Sequence, residues 1–189
     1  MFILKKKYYL IIENIKDIDL KNIKKRNKFV IVYRNNKNLD GIKSLLKFRK
    51  MCKLKFVKFF IANNINLARK LNSDGIYISS HNKSFKPLLL KKSNFEIIGS
   101  AHSYREIFIK IHQGCKKIIF SKLFKVDYDK KASYLGVTKF NNLLKDFNNL
   151  IPLGGINSDN LKSLNMIKSD GFTLMSEIKK KPAIANRLF

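Results

Sequence analysis

Eight short apolar runs, spaced along the chain with polar or helix-patterned segments between them, constrain this sequence more than any single motif. They are Tyr8–Ile12, Phe29–Tyr33, Phe59–Ala62, Gly75–Ile78, Phe95–Gly99, Lys117–Phe120, Leu150–Leu153 and Gly171–Met175. Runs this short and this continuously apolar suit parallel strands covered on both faces, where alternation between polar and apolar residues is lost. Several of the intervening segments carry helical spacing. Leu39–Cys52 places Ile42, Leu45, Leu46 and Arg49 on one face, Asn66–Leu71 is a short helix, and Thr138–Phe147 carries Phe140, Leu143, Leu144 and Phe147. Ser103 is placed to cap a helix running to Gln113, with Glu106 three residues on to complete a capping box. A further helix is predicted to open at Asn157 or Ser158 and run through Leu161, Leu164 and Ile167, and a last one to span Ser176–Leu188, interrupted at Pro182.

Eight strands alternating with helices predict a compact (β/α)8 TIM barrel in one domain over residues 1–189. The 189 residues are few for that fold, which typically takes ~250, so its loops must be lean. The competing doubly wound open sheet places a glycine-rich phosphate loop after its first strand. Here Glu13-Asn14 follow the first run, and the glycines fall late, at Gly154-Gly155. Two adjacent glycines at a strand tip permit a close backbone approach to an anion, or simply a tight turn. In barrels, the phosphate site commonly lies after strands seven and eight, which is where Gly154-Gly155 and Met175-Ser176 stand.

Composition narrows the function classes. No run of ~18 uncharged apolar residues exists, so no membrane span is expected. The N-terminus sets its apolar residues before Lys5-Lys6-Lys7, the reverse of a signal peptide, and a cytoplasmic location is expected. Cys52 and Cys115 lie far apart with no metal-ligand spacing and read as small buried hydrophobes in a reducing compartment. The net charge of +27 raises nucleic acid as a partner. That charge is nearly all Lys, spread along the whole chain and accompanied by many Asn and Ile, a pattern that AT-rich codons alone would produce. A nucleic-acid site concentrates Arg and aromatic residues on one element, so this reading is the weaker one. A basic surface attracts phosphorylated small molecules in any case.

The order and spacing of several segments give the chain a resemblance to the thiamine-phosphate synthase and thiazole tautomerase (TenI-like) superfamily. Phe59-Phe60-Ile61-Ala62-Asn63-Asn64-Ile65-Asn66-Leu67-Ala68 followed by Ser73-Asp74-Gly75-Ile76-Tyr77-Ile78-Ser79 is similar to that family's "FIINDRVDLA…GADGVHLG". Gly99-Ser100-Ala101-His102 resembles its "GVSxH", and Gly154-Gly155-Ile156-Asn157 its "GGI…N". Lys168–Ile178 is similar to its closing "GADGVAVMSAI". The resemblance implies a compact barrel acting on a phosphorylated thiazole or on thiamine phosphate. It also implies a phosphate cradle from Gly154, Gly155 and the amides around Met175 and Ser176.

The residues that a synthase of that family uses for metal-dependent coupling are largely replaced. Of its "QLREK" motif, Arg34 matches, whereas Lys37 matches only after a one-residue shift. The family's two magnesium aspartates correspond to Asn63 and Asn82, and a neutral amide serves poorly for an ion that dehydrates reluctantly. No cofactor is therefore expected, with Mg²⁺ kept as an alternative. The threonines of the sixth-strand loop are absent from Ser121–Lys130, although Lys125, Lys130 and Lys131 could meet a pyrophosphate as point charges.

His102 corresponds to the histidine that moves a proton in the tautomerase branch, a step needing one group that titrates near working pH and no metal. A histidine after a barrel strand can equally cap the next helix. Ser100 is expected to bond the substrate or orient its neighbours. His81 and His112 read as surface residues, and Tyr33 and Tyr77 as core or barrel-mouth residues. Three readings follow. They are an enzyme acting on a phosphorylated thiazole, with proton transfer favoured over coupling, a non-catalytic binder of such a ligand, and a basic nucleic-acid-binding protein. The sequence leaves a homo-oligomer open.

Overall fold

The structure is a computed structural model and describes residues 7–23, 27–35, 40–92, 95–126, 131–157 and 159–175. Its eight strands are β1 (Lys7–Ile12), β2 (Phe29–Tyr33), β3 (Lys58–Ala62), β4 (Gly75–Ile78), β5 (Glu96–Ala101), β6 (Lys117–Ser121), β7 (Leu150–Leu153) and β8 (Gly171–Leu174). Each pairs in parallel with the next, and β8 pairs with β1, so the sheet closes into a barrel. The eight apolar runs are the eight strands, each shifted by a residue or two at most. The open-sheet alternative is thereby removed.

Closure puts every other side chain inside. Tyr9, Ile11, Val30, Val32, Phe60, Tyr77, Ile98, Ile119 and Ile151 pack together inside the barrel. The alternate positions, among them Tyr8, Leu10, Phe29, Ile31, Phe59, Ile76 and Ile118, face outward under the helices and form a second, larger apolar layer. Two apolar layers around one sheet explain why the strands read as unbroken hydrophobic runs.

The helices are α1 (Ile42–Leu54), α2 (Ile65–Lys70), α3 (Tyr104–His112) and α4 (Gly136–Asp146). The predicted start of α1 at Leu39 lies outside the described residues. Its buried face is Leu45, Phe48, Arg49 and Cys52, while Leu46 is 43% exposed. The i, i+3, i+4, i+7 stripe starting at Leu45 excludes its neighbour, so the predicted face was rotated by one position. Arg49 is buried because it is paired. Its Nη2 donates to Asp74 Oδ1 at 2.8 Å and its Nε to the Asn72 carbonyl at 3.0 Å. Asp74 in turn accepts from Phe59 N–H at 2.7 Å, which ties α1 to the strand end beneath it.

Ser103 caps α3 as expected, accepting from Glu106 N–H. The carboxylate of Glu106 reaches one residue further back than a capping box requires, to His102 N–H at 2.6 Å. The helix expected from Asn157 is instead a six-residue 3₁₀ helix, Leu161–Met166. The span Ser176–Leu188 lies outside the described residues. Among the described residues no helix is long and apolar enough to cross a membrane.

Candidate functional site at the barrel mouth

Inward-facing positions at the C-terminal ends of the strands reach the mouth of the barrel, where the apolar filling gives way to polar groups. Val32 is inside, so two residues on Arg34 rises above it; the same alternation carries Ile98 to Ser100 and His102, Ile119 to Ser121, and Thr173 to Met175. Tyr77 links three of these strands. Arg34 and Ser100 both lie beside its hydroxyl and favour its ionised form. Burial pushes the phenol above its ordinary value, against the pull of those two partners, so at neutral pH it is an O–H and not a phenolate. Arg34 also directs Nη2 to the Met175 sulfur at 3.4 Å. A thioether is a weak acceptor that an oxyanion displaces readily. Arg34, Tyr77, Ser100 and Met175 thus form one cluster drawn from β2, β4, β5 and β8. Sequence reasoning had left Tyr77 open between core packing and the barrel mouth. Its alternation with Gly75 and Ser79 was the available signal, but the partners come from other strands.

Asn63 and Asn82, which the resemblance sets at the positions of metal carboxylates, are brought together. Asn82 Nδ2 donates to Asn63 Oδ1 at 3.1 Å, and the same oxygen accepts from Ser79 N–H at 3.0 Å. Asn63 Nδ2 donates to Ser79 Oγ at 3.1 Å, so both ends of this amide are engaged. Asn63 sits at φ 57°, in the left-handed region that asparagine tolerates. These residues do not fit Mg²⁺. Neither carries charge, one oxygen is already taken by two N–H donors, and among the described residues no three His, Cys, Asp or Glu side chains gather into a metal-binding group.

His102 is exposed, and its Nδ1 lies 2.6 Å from Ser121 Oγ on the neighbouring strand. The pair sits at the lip of a cleft of about 620 Å³ that Lys122, Tyr134 and Lys139 also line. Ser121 went unassigned in the sequence because only the β5–β6 register brings it to His102. His81 and His112 are exposed, as expected. Burial pushes both the Cys52 and Cys115 thiols up to about 12, which makes them inert.

Gly154 and Gly155 turn the chain after β7 with φ of 101° and 67°. A Cβ on Gly155 would lie 2.3 Å from the Lys125 carbonyl oxygen and 2.6 Å from that of Phe124. Phe124 N–H also donates to the Gly154 carbonyl at 3.0 Å. The close approach these glycines permit is therefore to the loop after β6. The amides beyond them are engaged internally: Asn157 N–H donates to Asn160 Oδ1, and the N–H groups of Asp159 and Asn160 donate to Asn157 Oδ1. The expected helix N-terminus at Asn157 is thus absent, and with it the dipole contribution to anion binding. Ser176 and Lys130 lie outside the described residues; Lys125 and Lys131 are exposed.

Closed topology, a filled interior and polar side chains gathered at the C-terminal mouth define a (β/α)8 barrel with its candidate site at the usual end. The thiamine monophosphate synthase family profile matches residues 8–178, and the chain belongs to that family. It is 27% identical over 160 residues to a thiamine-phosphate synthase of Clostridioides difficile, covering 80% of this chain and 75% of the relative. It is 30% identical over 137 residues to a thiamine-phosphate synthase of Prochlorococcus marinus subsp. pastoris, covering 70% of this chain but only 38% of the relative. Among solved structures, thiamine phosphate pyrophosphorylase from Pyrococcus furiosus superposes with a TM-score of 0.72 at 16% identity, covering 97% of this chain and 94% of that one. A 3-keto-L-gulonate-6-phosphate decarboxylase from Vibrio cholerae superposes at 0.67 with 14% identity, covering 97% and 96% of the two chains. At those identities the likeness is one of fold.

Proposed function

We propose that this chain acts on a phosphorylated thiazole by a proton transfer that needs no divalent cation. The observation that carries the reading is the Asn63–Asn82 contact. The family's two carboxylate positions are still adjacent, yet they hold each other through an amide hydrogen bond. Arg34 and the backbone amides at the ends of β7 and β8, beside Gly154, Gly155 and Met175, would take the phosphate. An extended N–H array is well suited to an oxyanion, and the Met175 sulfur that faces Arg34 Nη2 is a weak acceptor that a phosphate would displace. Ser100 and Tyr77 would contact the ring from below.

His102 would move the proton. With Nδ1 engaged by Ser121, Nε2 is left for the ligand, and the serine hydroxyl, which both donates and accepts, can partner the ring in either protonation state. An isomerisation of this kind removes one proton from carbon and returns one elsewhere, so it requires no redox group. The free, buried cysteines suit a reducing compartment, and we read the protein as cytoplasmic and as a single barrel domain.

A second reading, a binder of thiazole phosphate or thiamine phosphate without catalysis, is favoured by one observation: packing against the β6 loop alone accounts for the two glycines. The test is turnover of the thiazole phosphate tautomer in chelator, with thermal stabilisation by the ligand measured alongside. The enzyme reading expects turnover that His102→Ala abolishes while stabilisation persists. Stabilisation with no turnover selects the binder. No ligand effect, together with salt-sensitive retention of DNA or RNA, would leave only the basic surface to explain.

A further inference from the structure

Lys110 is the most unusual lysine in the described structure. It lies in the last turn of α3 with its side chain fully buried, and no other described lysine is buried. Its stem crosses β5 at Gly99, where a Cβ would come within 2.9 Å of Lys110 Cδ and 2.8 Å of Cys115 Sγ. The absence of a side chain at Gly99 is what lets the stem through. Beyond that point the ammonium meets three oxygens. It donates to the Ser79 carbonyl at 2.7 Å, the Asn82 carbonyl at 2.8 Å and Gln113 Oε1 at 2.8 Å. All three N–H bonds are used, as a buried ammonium requires. Gln113, itself buried, continues the array by donating to the carbonyls of Asn82 at 3.0 Å and Ser84 at 2.9 Å. Every loop acceptor in this array lies between Ser79 and Ser84, in the loop that carries the Asn82 side chain to Asn63.

We infer that Lys110 is a positioning residue that acts as a built-in cation for the barrel mouth, its ammonium ordering the loop after β4 so that Asn82 meets Asn63 without a bound metal ion. A free monovalent or divalent cation organises a loop by gathering its carbonyl oxygens; here a tethered one does so from the helix side. The oxygens it gathers are neutral, so no carboxylate is needed to hold the loop, and replacement of the rim carboxylates by amides carries no loss of order. The inference concerns loop order and stands apart from catalysis; that this order serves ligand binding rests on the function proposed above.

The test is hydrogen exchange, peptide by peptide, of the whole chain without ligand, in chelator and in millimolar Mg²⁺. For the wild type, we expect protection of residues 79–84 that is identical in the two buffers. Lys110→Met keeps the stem and removes the charge; exchange in 79–84 should accelerate about tenfold or more while the β2 strand is unaffected. Gln113→Leu, which leaves the ammonium in place, should loosen the same peptide to a smaller degree and serves if Lys110→Met does not fold. Thiazole phosphate affinity should fall in parallel with loop protection. Unchanged protection in both variants, acceleration spread evenly over all peptides, or slowing of 79–84 by Mg²⁺ in the wild type would overturn the inference. Loop loosening in a chain that never binds thiazole phosphate would instead leave the positioning role intact and refute the proposed function.

Discussion

Placing carboxylates at positions 63 and 82 should make stability depend on Mg²⁺ in the variant and not in the wild type. In Asn63→Asp/Asn82→Asp, two negative groups replace an amide pair now 3.1 Å apart. At a separation of ~4 Å, their repulsion is about 1 kcal/mol in water and about 4 kcal/mol at the effective dielectric of a protein surface. Asn63 is exposed and Asn82 half-buried, which places the pair near the screened end, at ~1–2 kcal/mol. Loss of the Asn82 Nδ2 bond adds about 1 kcal/mol. A total near 2–3 kcal/mol in a chain of this length corresponds to a fall in Tm of roughly 4–12 °C in chelator. A cation bridging the new carboxylates at 100 times its Kd would return about 2.7 kcal/mol. The assay is calorimetric unfolding of wild type and variant with and without Mg²⁺. We expect the variant alone to respond to the ion. A wild type stabilised by Mg²⁺ to the same extent, or a variant as stable as the wild type in chelator, would refute the reasoning, since the first means the amides hold a cation and the second that they do not face each other.

Four further outcomes follow from the geometry. Arg49→Met leaves Asp74, whose side chain is 32% exposed, without its cation and still bonded to Phe59 N–H; after discounting for that exposure, urea unfolding should show a loss of about 2–3 kcal/mol. Gly155→Ala combines a positive φ with a Cβ 2.3 Å from a carbonyl, so it should cost more than the ~1–2 kcal/mol of the backbone conformation alone and loosen residues 123–126 in hydrogen exchange. Ser121→Ala should lower turnover and shift its pH profile while leaving ligand affinity and Tm within error, because it removes only the partner of His102 Nδ1. For the two cysteines the fold raises the pKa from 9.0 to about 12, so an unfolded chain releases thiol protons that the folded one retains. Their contribution is therefore fully present below pH ~9 and lost as pH rises toward ~12, and stability measured across that range should fall less steeply in Cys52→Ala/Cys115→Ala than in the wild type.

The barrel was legible because its determinant is local: each strand announces itself as a run of Ile, Val, Phe and Tyr, and a doubly covered sheet needs nothing subtler. The helices were legible to within a few residues for the same reason, and where the face of α1 was misplaced, at Leu46, the i+1 neighbour of a buried leucine competed for one stripe. The failure at Asn157 has a different cause. Asn157 and Asn160 bond each other's backbone amides, so the segment closes as a turn, and a short 3₁₀ helix takes over from Leu161. The site was legible only one residue at a time. Arg34, Ser100, His102, Asn63 and Asn82 were picked out one by one, by their resemblance to motifs of the family. That Tyr77 joins Arg34 to Ser100, that Ser121 meets His102, and that Lys110 crosses Gly99 to reach the Asn82 carbonyl are facts of register and closure between distant segments, which no local pattern carries. A lysine in a helix reads as solvated until the oxygens around it are known.

The most direct measurement is a crystal structure of the chain grown with thiazole phosphate in the presence of chelator. The account predicts the phosphate on Arg34 and on the backbone amides at the tips of β7 and β8, the ring over Ser100, and His102 Nε2 turned toward it. A mouth that stays empty, or that admits the compound only together with a metal ion between Asn63 and Asn82, would contradict it.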